Sequence, residues 1–141
     1  MDDDPELDVV VSAHHTPYFP GMISVFDIGG NLKRRYWNAG RTYEMVLHDI
    51  TGDEIKEIFV AGVNNDAGSV PVLFCLDGQM MMGESPPRRG KFKKGREIWY
   101  KGLSRDKTEA RKLRLVDGVL ICTDHKNVVY RINPRNGTRV D

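Results

Sequence analysis

The chain has little cysteine, no long apolar run and no excess of one charge. Two cysteines in 141 residues, Cys75 and Cys122, are too few for a disulfide framework or, by themselves, for a zinc site. Each lies inside an apolar, strand-like run, where a buried free thiol is the expected state. No apolar stretch approaches the ~18 residues needed to span a membrane. The start, Met1-Asp-Asp-Asp-Pro-Glu6, has neither the basic end nor the apolar stretch of a signal peptide. The sequence as given therefore reads as soluble and unsecreted, unless it is a piece of a longer protein, and the compartment stays unassigned. A formal net charge of +1 excludes a globally basic nucleic-acid binder. Gly-x-Ser-x-Gly, the elbow that exposes a serine nucleophile, is absent. So are an RNP pattern, a Gly-x-x-Gly clamp and zinc spacing.

What is present is ordinary globular composition, 40% hydrophobic and 29% charged, with enough length for one domain and a real core. The near-neutral total hides an asymmetry. Residues 1–70 carry five Lys/Arg against twelve Asp/Glu, and residues 71–141 carry sixteen against eight. The halves can pack on each other, or the basic half can face an acidic partner.

Short β-branched or aromatic runs alternate with Gly, Asn and Asp turns, which argues for an all-β domain of antiparallel sheets. Strand signals run over 7–13, 22–27, 32–37, 43–48, 57–63, 70–76, 97–101, 110–116, 119–123 and 127–132. Ile28-Gly29-Gly30-Asn31 reads as a hairpin turn whose glycines supply positive φ. Only Asp106 to Arg114 competes as a helix, at marginal length. Residues 1–6 read as a disordered tail, and 84–95 as a basic mobile loop. A weak repeat near 50 residues links Val25–Asn31, Leu73–Gly78 and Val129–Gly137, each an aromatic-bearing strand ending in a polar turn. These features allow a partial propeller or a small β-sandwich.

The acidic run Asp49-Ile-Thr-Gly-Asp53-Glu-Ile-Lys-Glu57 places oxygen side chains at Asp49, Thr51, Asp53 and Glu57, close to the spacing of a calcium loop. It opens directly into Ile58-Phe-Val-Ala-Gly62. On these residues, with Val25-Phe-Asp27, Gly30 and Leu32, positions 8 to 85 resemble the FG-GAP/VCBS-type repeats of integrin-like β-propellers. Residues 96 to 141 are similar only generically to quinoprotein-type blades, through Trp99 after Gly95 and the Asn-Pro-x-x-Gly ending. The resemblance implies a propeller-like binding or scaffold domain, a Ca2+ ligand set of Asp49, Thr51, Asp53 and Glu57, and an extracellular or periplasmic parent protein. Two departures weaken the metal reading. Thr51 stands where an Asp or Asn coordinates, and Glu54 replaces the glycine of the sharp turn. A polar turn whose Asp side chains bond backbone amides is the competing expectation.

Other chemistry is thin. Adjacent strand residues point to opposite faces, so His14 and His15 cannot readily share an ion. His48 beside the acidic loop is the basis of an enzyme alternative, a hydrolase or quinoprotein-like domain. His125 falls in a hairpin turn. Arg88, Arg89, Lys91, Lys93 and Lys94, with Trp99, are the candidate ligand-binding residues: cations neutralise phosphates and aromatics stack on bases. The opposing reading is a solvated basic loop beside a buried Trp99. Met80-Met81-Met82 can mark an adaptable surface or fill a core, and Asn136-Gly-Thr138 reads as a turn before it reads as a glycosylation site. The expectation is a non-enzymatic domain that recognises a protein partner, or itself, through loops. Nonspecific nucleic-acid binding through 88–101 is the further alternative.

Overall fold

A computed structural model describes residues 7–15, 19–88 and 95–141. The described residues form ten strands, and every strand signal of the sequence falls on one of them. They are β1 (Val9–His15), β2 (Phe19–Phe26), β3 (Leu32–Asn38), β4 (Thr42–His48), β5 (Glu57–Asn64), β6 (Val70–Asp77), β7 (Trp99–Gly102), β8 (Ala110–Val116), β9 (Val119–Asp124) and β10 (Val129–Ile132). All ladders are antiparallel. The strands make three separate sheets in the orders β1-β2-β3, β4-β5-β6-β7 and β10-β9-β8.

The β2–β3 turn forms as its sequence demands. Gly30 adopts φ 85° and donates its amide to the Asp27 carbonyl at 3.0 Å. The Asp27 side chain accepts from the Asn31 amide at 2.8 Å. The segment that competes as a helix instead supplies β8. Ala110 and Leu113 are buried there against the core, and that packing outweighs local helical propensity.

The middle sheet is buried on both faces, which explains the apolar run from Ile58. β5 is buried at all eight positions. Alternation sends Phe59, Ala61, Leu73 and Cys75 to one face, where they meet Leu113, Leu120, Cys122, Tyr130 and Ile132 of the third sheet. Ile58, Val60, Val72, Phe74 and Leu76 face the other way onto Ile23, Val25 and Tyr36 of the first sheet. Fully burying each such side chain is worth about 1.5–3 kcal/mol. Cys75 and Cys122 are buried, unpaired thiols, and burial pushes the Cys122 thiol up to about 12.

This architecture corrects the propeller resemblance. The three sheets are separate and open, not blades curled around a closed ring. Both the FG-GAP/VCBS reading of 8–85 and the quinoprotein-type reading of 96–141 are withdrawn with it. The physical reason lies in what carried the likeness. An Asp-rich turn leading into an apolar strand is what an Asx-turn hairpin with a doubly buried strand produces in many β folds. The 50-residue spacing marks one strand-and-turn unit in each sheet and goes no further.

Among the described residues no helix is long and apolar enough to cross a membrane.

Candidate functional site

The side chains gathered most purposefully lie at one end of the sheets, where two strand irregularities face each other. In β4 the register shifts between Thr42 and Glu44, which pair with Gly62 and Ala61, so Tyr43 is the extra residue of a bulge. In β8 the register shifts between Ala110 and Lys112, which pair with Asp124 and Thr123, so Arg111 is the extra residue there. A bulge re-aims its side chain out of the pleat and is enriched near functional sites. Here the two bulges belong to different sheets and bring Tyr43 and Arg111 together.

The Arg111 guanidinium carbon stands 5.4 Å from the centre of the Tyr43 ring, and that of Arg41 stands 5.0 Å away. Arg111 donates Nε and Nη2 to Glu109 Oε2 at 3.0 and 2.8 Å. The Tyr43 phenol also faces the Glu109 carboxylate. Burial pushes the Glu109 carboxyl up, but Tyr43 and Arg111 outweigh it and hold it below the ordinary carboxylate range. Burial, then the hydrogen bond to Glu109, pushes the Tyr43 phenol up to about 12. The His125 amide donates to the Glu109 carbonyl at 3.0 Å, and its Nδ1 lies 3.2 Å from Thr108 Oγ1.

These groups line a cleft of about 430 Å³, with Lys107 and Ser69 on its rim. Its walls are the β3–β4 connection, the β5–β6 turn, the β7–β8 loop and the β9–β10 turn. Three cations, Arg41, Lys107 and Arg111, stand against one carboxylate, so the cleft is net positive with an aromatic floor. Among the described residues neither Arg41 nor Lys107 has a carboxylate partner. Chemically the cleft can hold an acidic group against Tyr43 while Arg111 stays occupied by Glu109. Sequence reasoning missed it. The bulges depend on partner register, and the sequence marks the cleft only through His125 in its hairpin turn and the cations among residues 105–114.

Apart from His125, the residues singled out by sequence fall elsewhere. Asp49 Oδ1 accepts from the amides of Thr51 at 3.0 Å and Gly52 at 2.6 Å, and Oδ2 from the Glu54 amide at 2.8 Å. These bonds, that of Gly52 foremost, hold its carboxyl below the ordinary range. Asp53 Oδ1 accepts from the Ile55 amide at 3.0 Å, and Glu57 Oε2 from the Ile50 amide at 2.8 Å. The Thr51 hydroxyl also turns to Asp49. Among the described residues no three His, Cys, Asp or Glu side chains gather to hold a metal ion. The four candidate calcium ligands are engaged with the loop's own amides and hydroxyl.

His48 is exposed opposite Glu57 in the β4–β5 ladder, and His14 and His15 are exposed at the end of β1. Trp99 is a core residue. It is 7% exposed, packs on Phe59 at 6.1 Å between ring centres, and donates Nε1 to the Pro134 carbonyl at 2.8 Å. It presents no face for a base to stack on. Arg88 pairs with Glu97, whereas Arg89, Lys91, Lys93 and Lys94 lie outside the described residues. Asn136 accepts from the Thr138 amide and hydroxyl at 3.1 and 2.7 Å around Gly137 at φ 70°, the expected turn.

No family model matches the chain, and neither the curated proteins nor the solved structures supply a match. The FG-GAP/VCBS resemblance therefore has no support from sequence families either.

Proposed function

We propose that this chain is a non-enzymatic binding or scaffold domain that recognises a protein partner through loops at one end of its sheets. The observation that supports the reading is the cleft between the two bulges, where Tyr43 and Arg111 are aimed at each other from different sheets. On this reading the stacked sheets serve as a small β-sandwich framework, and the loops carry recognition because they can vary without disturbing the core. The cleft's positive balance suits an acidic side chain of the partner, laid beside the Tyr43 ring.

The enzyme alternative finds less to build on. His48 is exposed and far in the chain from the cleft histidine. Within the cleft, the hydroxyl within reach of His125 belongs to Thr108, which lines the wall but is only 3% exposed. Glu109 is already held by Arg111 and Tyr43, which leaves it poorly placed as a general base.

The test is site-specific photo-crosslinking in cells that make the protein. A benzophenone amino acid is placed at Lys107 on the cleft rim, or at Asp117 in the β8–β9 turn at the opposite end of β8. A discrete crosslinked species from Lys107, absent from Asp117 and lost when Arg41→Glu is added, supports the reading. Equal crosslinking from both positions, or no effect of Arg41→Glu, removes it.

A further inference from the structure

The opposite end of the molecule carries a second surface, independent of the cleft. β3 begins Leu32-Lys-Arg-Arg, and the chain leaving β6 runs Asp77-Gly-Gln-Met-Met-Met82. The fold lays these two segments side by side. The Arg34 Nε donates to the Gln79 carbonyl, and a groove of about 330 Å³ opens between them. Its walls include Lys33, Arg34, Arg35 and Arg96, with Met80 and Met82 at the rim. Among the described residues no acidic side chain lines it.

The three methionines divide their work. Met81 is 1% exposed and fills the core beneath the first sheet. Met80 and Met82 are 42% and 49% exposed. Two thioether side chains left in solvent beside four cations are not needed for packing. Lys33 is neutralised by Asp8 at 2.9 Å. Among the described residues Arg34, Arg35 and Arg96 have no carboxylate partner. Arg35 instead lies over the Trp37 ring at 5.7 Å.

We infer that this groove binds an acidic, amphipathic peptide segment of a protein partner. Charge complementarity sets the sign of the ligand. The methionines decide its kind, because flexible, polarizable thioethers suit varied apolar side chains and offer nothing to phosphate. A single-stranded nucleic acid would want an open aromatic face for its bases. Among the described residues the groove walls hold no aromatic side chain, and Arg35 lies over the nearby Trp37 ring. Glutamates or aspartates would meet Arg35 and Arg96, with alternate apolar residues set against Met80 and Met82.

The probe is a fluorescein-labelled twelve-residue peptide alternating glutamate and leucine, followed by fluorescence anisotropy on the full chain. The comparison probes are an all-glutamate peptide and a labelled oligothymidine of equal length. The expected result is saturable binding of the Glu/Leu peptide that weakens as salt rises. Arg35→Glu with Arg96→Glu should weaken it at least tenfold. Arg131→Glu with Arg135→Glu, an equal charge change at exposed sites elsewhere, should change it less than twofold. Met80→Ser with Met82→Ser should also weaken it at least threefold, with circular dichroism confirming that every variant is folded. Four outcomes overturn the inference: no saturable binding, equal loss with Arg131→Glu plus Arg135→Glu, all-glutamate binding as tightly as Glu/Leu, or oligothymidine binding more tightly through the same arginines.

Discussion

The Tyr100 hydroxyl donates to Asn38 Oδ1 at 2.6 Å, a side-chain bond that joins the middle sheet to the first. Asn38 is fully buried, and its Nδ2 donates to the carbonyls of Gly40 and Val63 at 3.0 and 2.8 Å. Asn64 closes the network by donating to the Tyr100 hydroxyl at 2.8 Å. Buried polar groups left without partners cost about 1–3 kcal/mol each. Asn38→Ala should therefore lower the free energy of unfolding by about 3 kcal/mol in urea denaturation. Tyr100→Phe should lower it by about 1 kcal/mol, and the double variant should fall short of the sum because the two share a bond. Strict additivity would mean that Asn38 acts through the carbonyls alone.

Glu54 sits at φ 70°, in the left-handed region that L residues enter at about 1–2 kcal/mol. Its amide donates to Asp49 Oδ2 at 2.8 Å, and glycine keeps that donor. Glu54→Gly removes the steric penalty and adds unfolded-chain entropy of roughly 0.5–1 kcal/mol. The net expectation is a gain of about 0.5 kcal/mol, seen as a rise of one or two degrees in thermal midpoint. A fall in midpoint would show that the glutamate side chain supports the turn.

The same loop has a definite acid sensitivity. Hydrogen bonds from the loop amides, that of Gly52 foremost, hold the Asp49 carboxyl of the folded chain below the ordinary aspartate value. The folded state then binds fewer protons than the unfolded state, so stability rises with pH through this window. The loop's contribution is present above the unfolded value and is lost as pH falls through the lowered folded one. Asp49→Asn should flatten the acid limb of a stability profile below pH ~4. Because the loop carboxylates already accept these amides, millimolar calcium against EDTA should leave the midpoint unchanged. A rise with calcium that Asp53→Ala abolishes would restore the metal reading.

Local pattern and nonlocal register explain what the sequence could reveal. Every strand was legible because β-branched runs between Gly, Asn and Asp turns report on the backbone directly, as at Ile28–Asn31. The all-β antiparallel class followed from that. The arrangement of the sheets did not, since Asp49–Glu57 before an apolar strand is compatible with many ways of stacking hairpins. Tyr43 and Arg111 were invisible as a pair. Each is displaced by one residue of register against a partner strand, and their neighbours in the cleft come from four separate connections. Trp99 was ambiguous because an aromatic beside cations looks alike whether it faces a ligand or Phe59.

The Tyr43–Glu109–Arg111 unit offers a direct reading of how the cleft is held. Burial alone would raise the Glu109 carboxyl above the ordinary glutamate value, and Tyr43 and Arg111 reverse that direction. Removing the guanidinium in Arg111→Ala leaves burial and the Tyr43 bond in opposition, so the Glu109 value should rise relative to the native chain. Side-chain carbon NMR of selectively labelled glutamate would follow it through acid pH. The sign for stability follows from the lowered folded value. In the native chain this carboxylate's contribution is present above 4.5 and lost as pH falls through the folded value, and Arg111→Ala should shrink that loss. The shift should be larger than that of Tyr43→Phe, which keeps the charge of Arg111 beside Glu109. An unchanged Glu109 titration in Arg111→Ala would mean that the bulge of β8 does not hold the two side chains together in solution. The cleft would then lose the preorganisation on which its recognition of an acidic group depends.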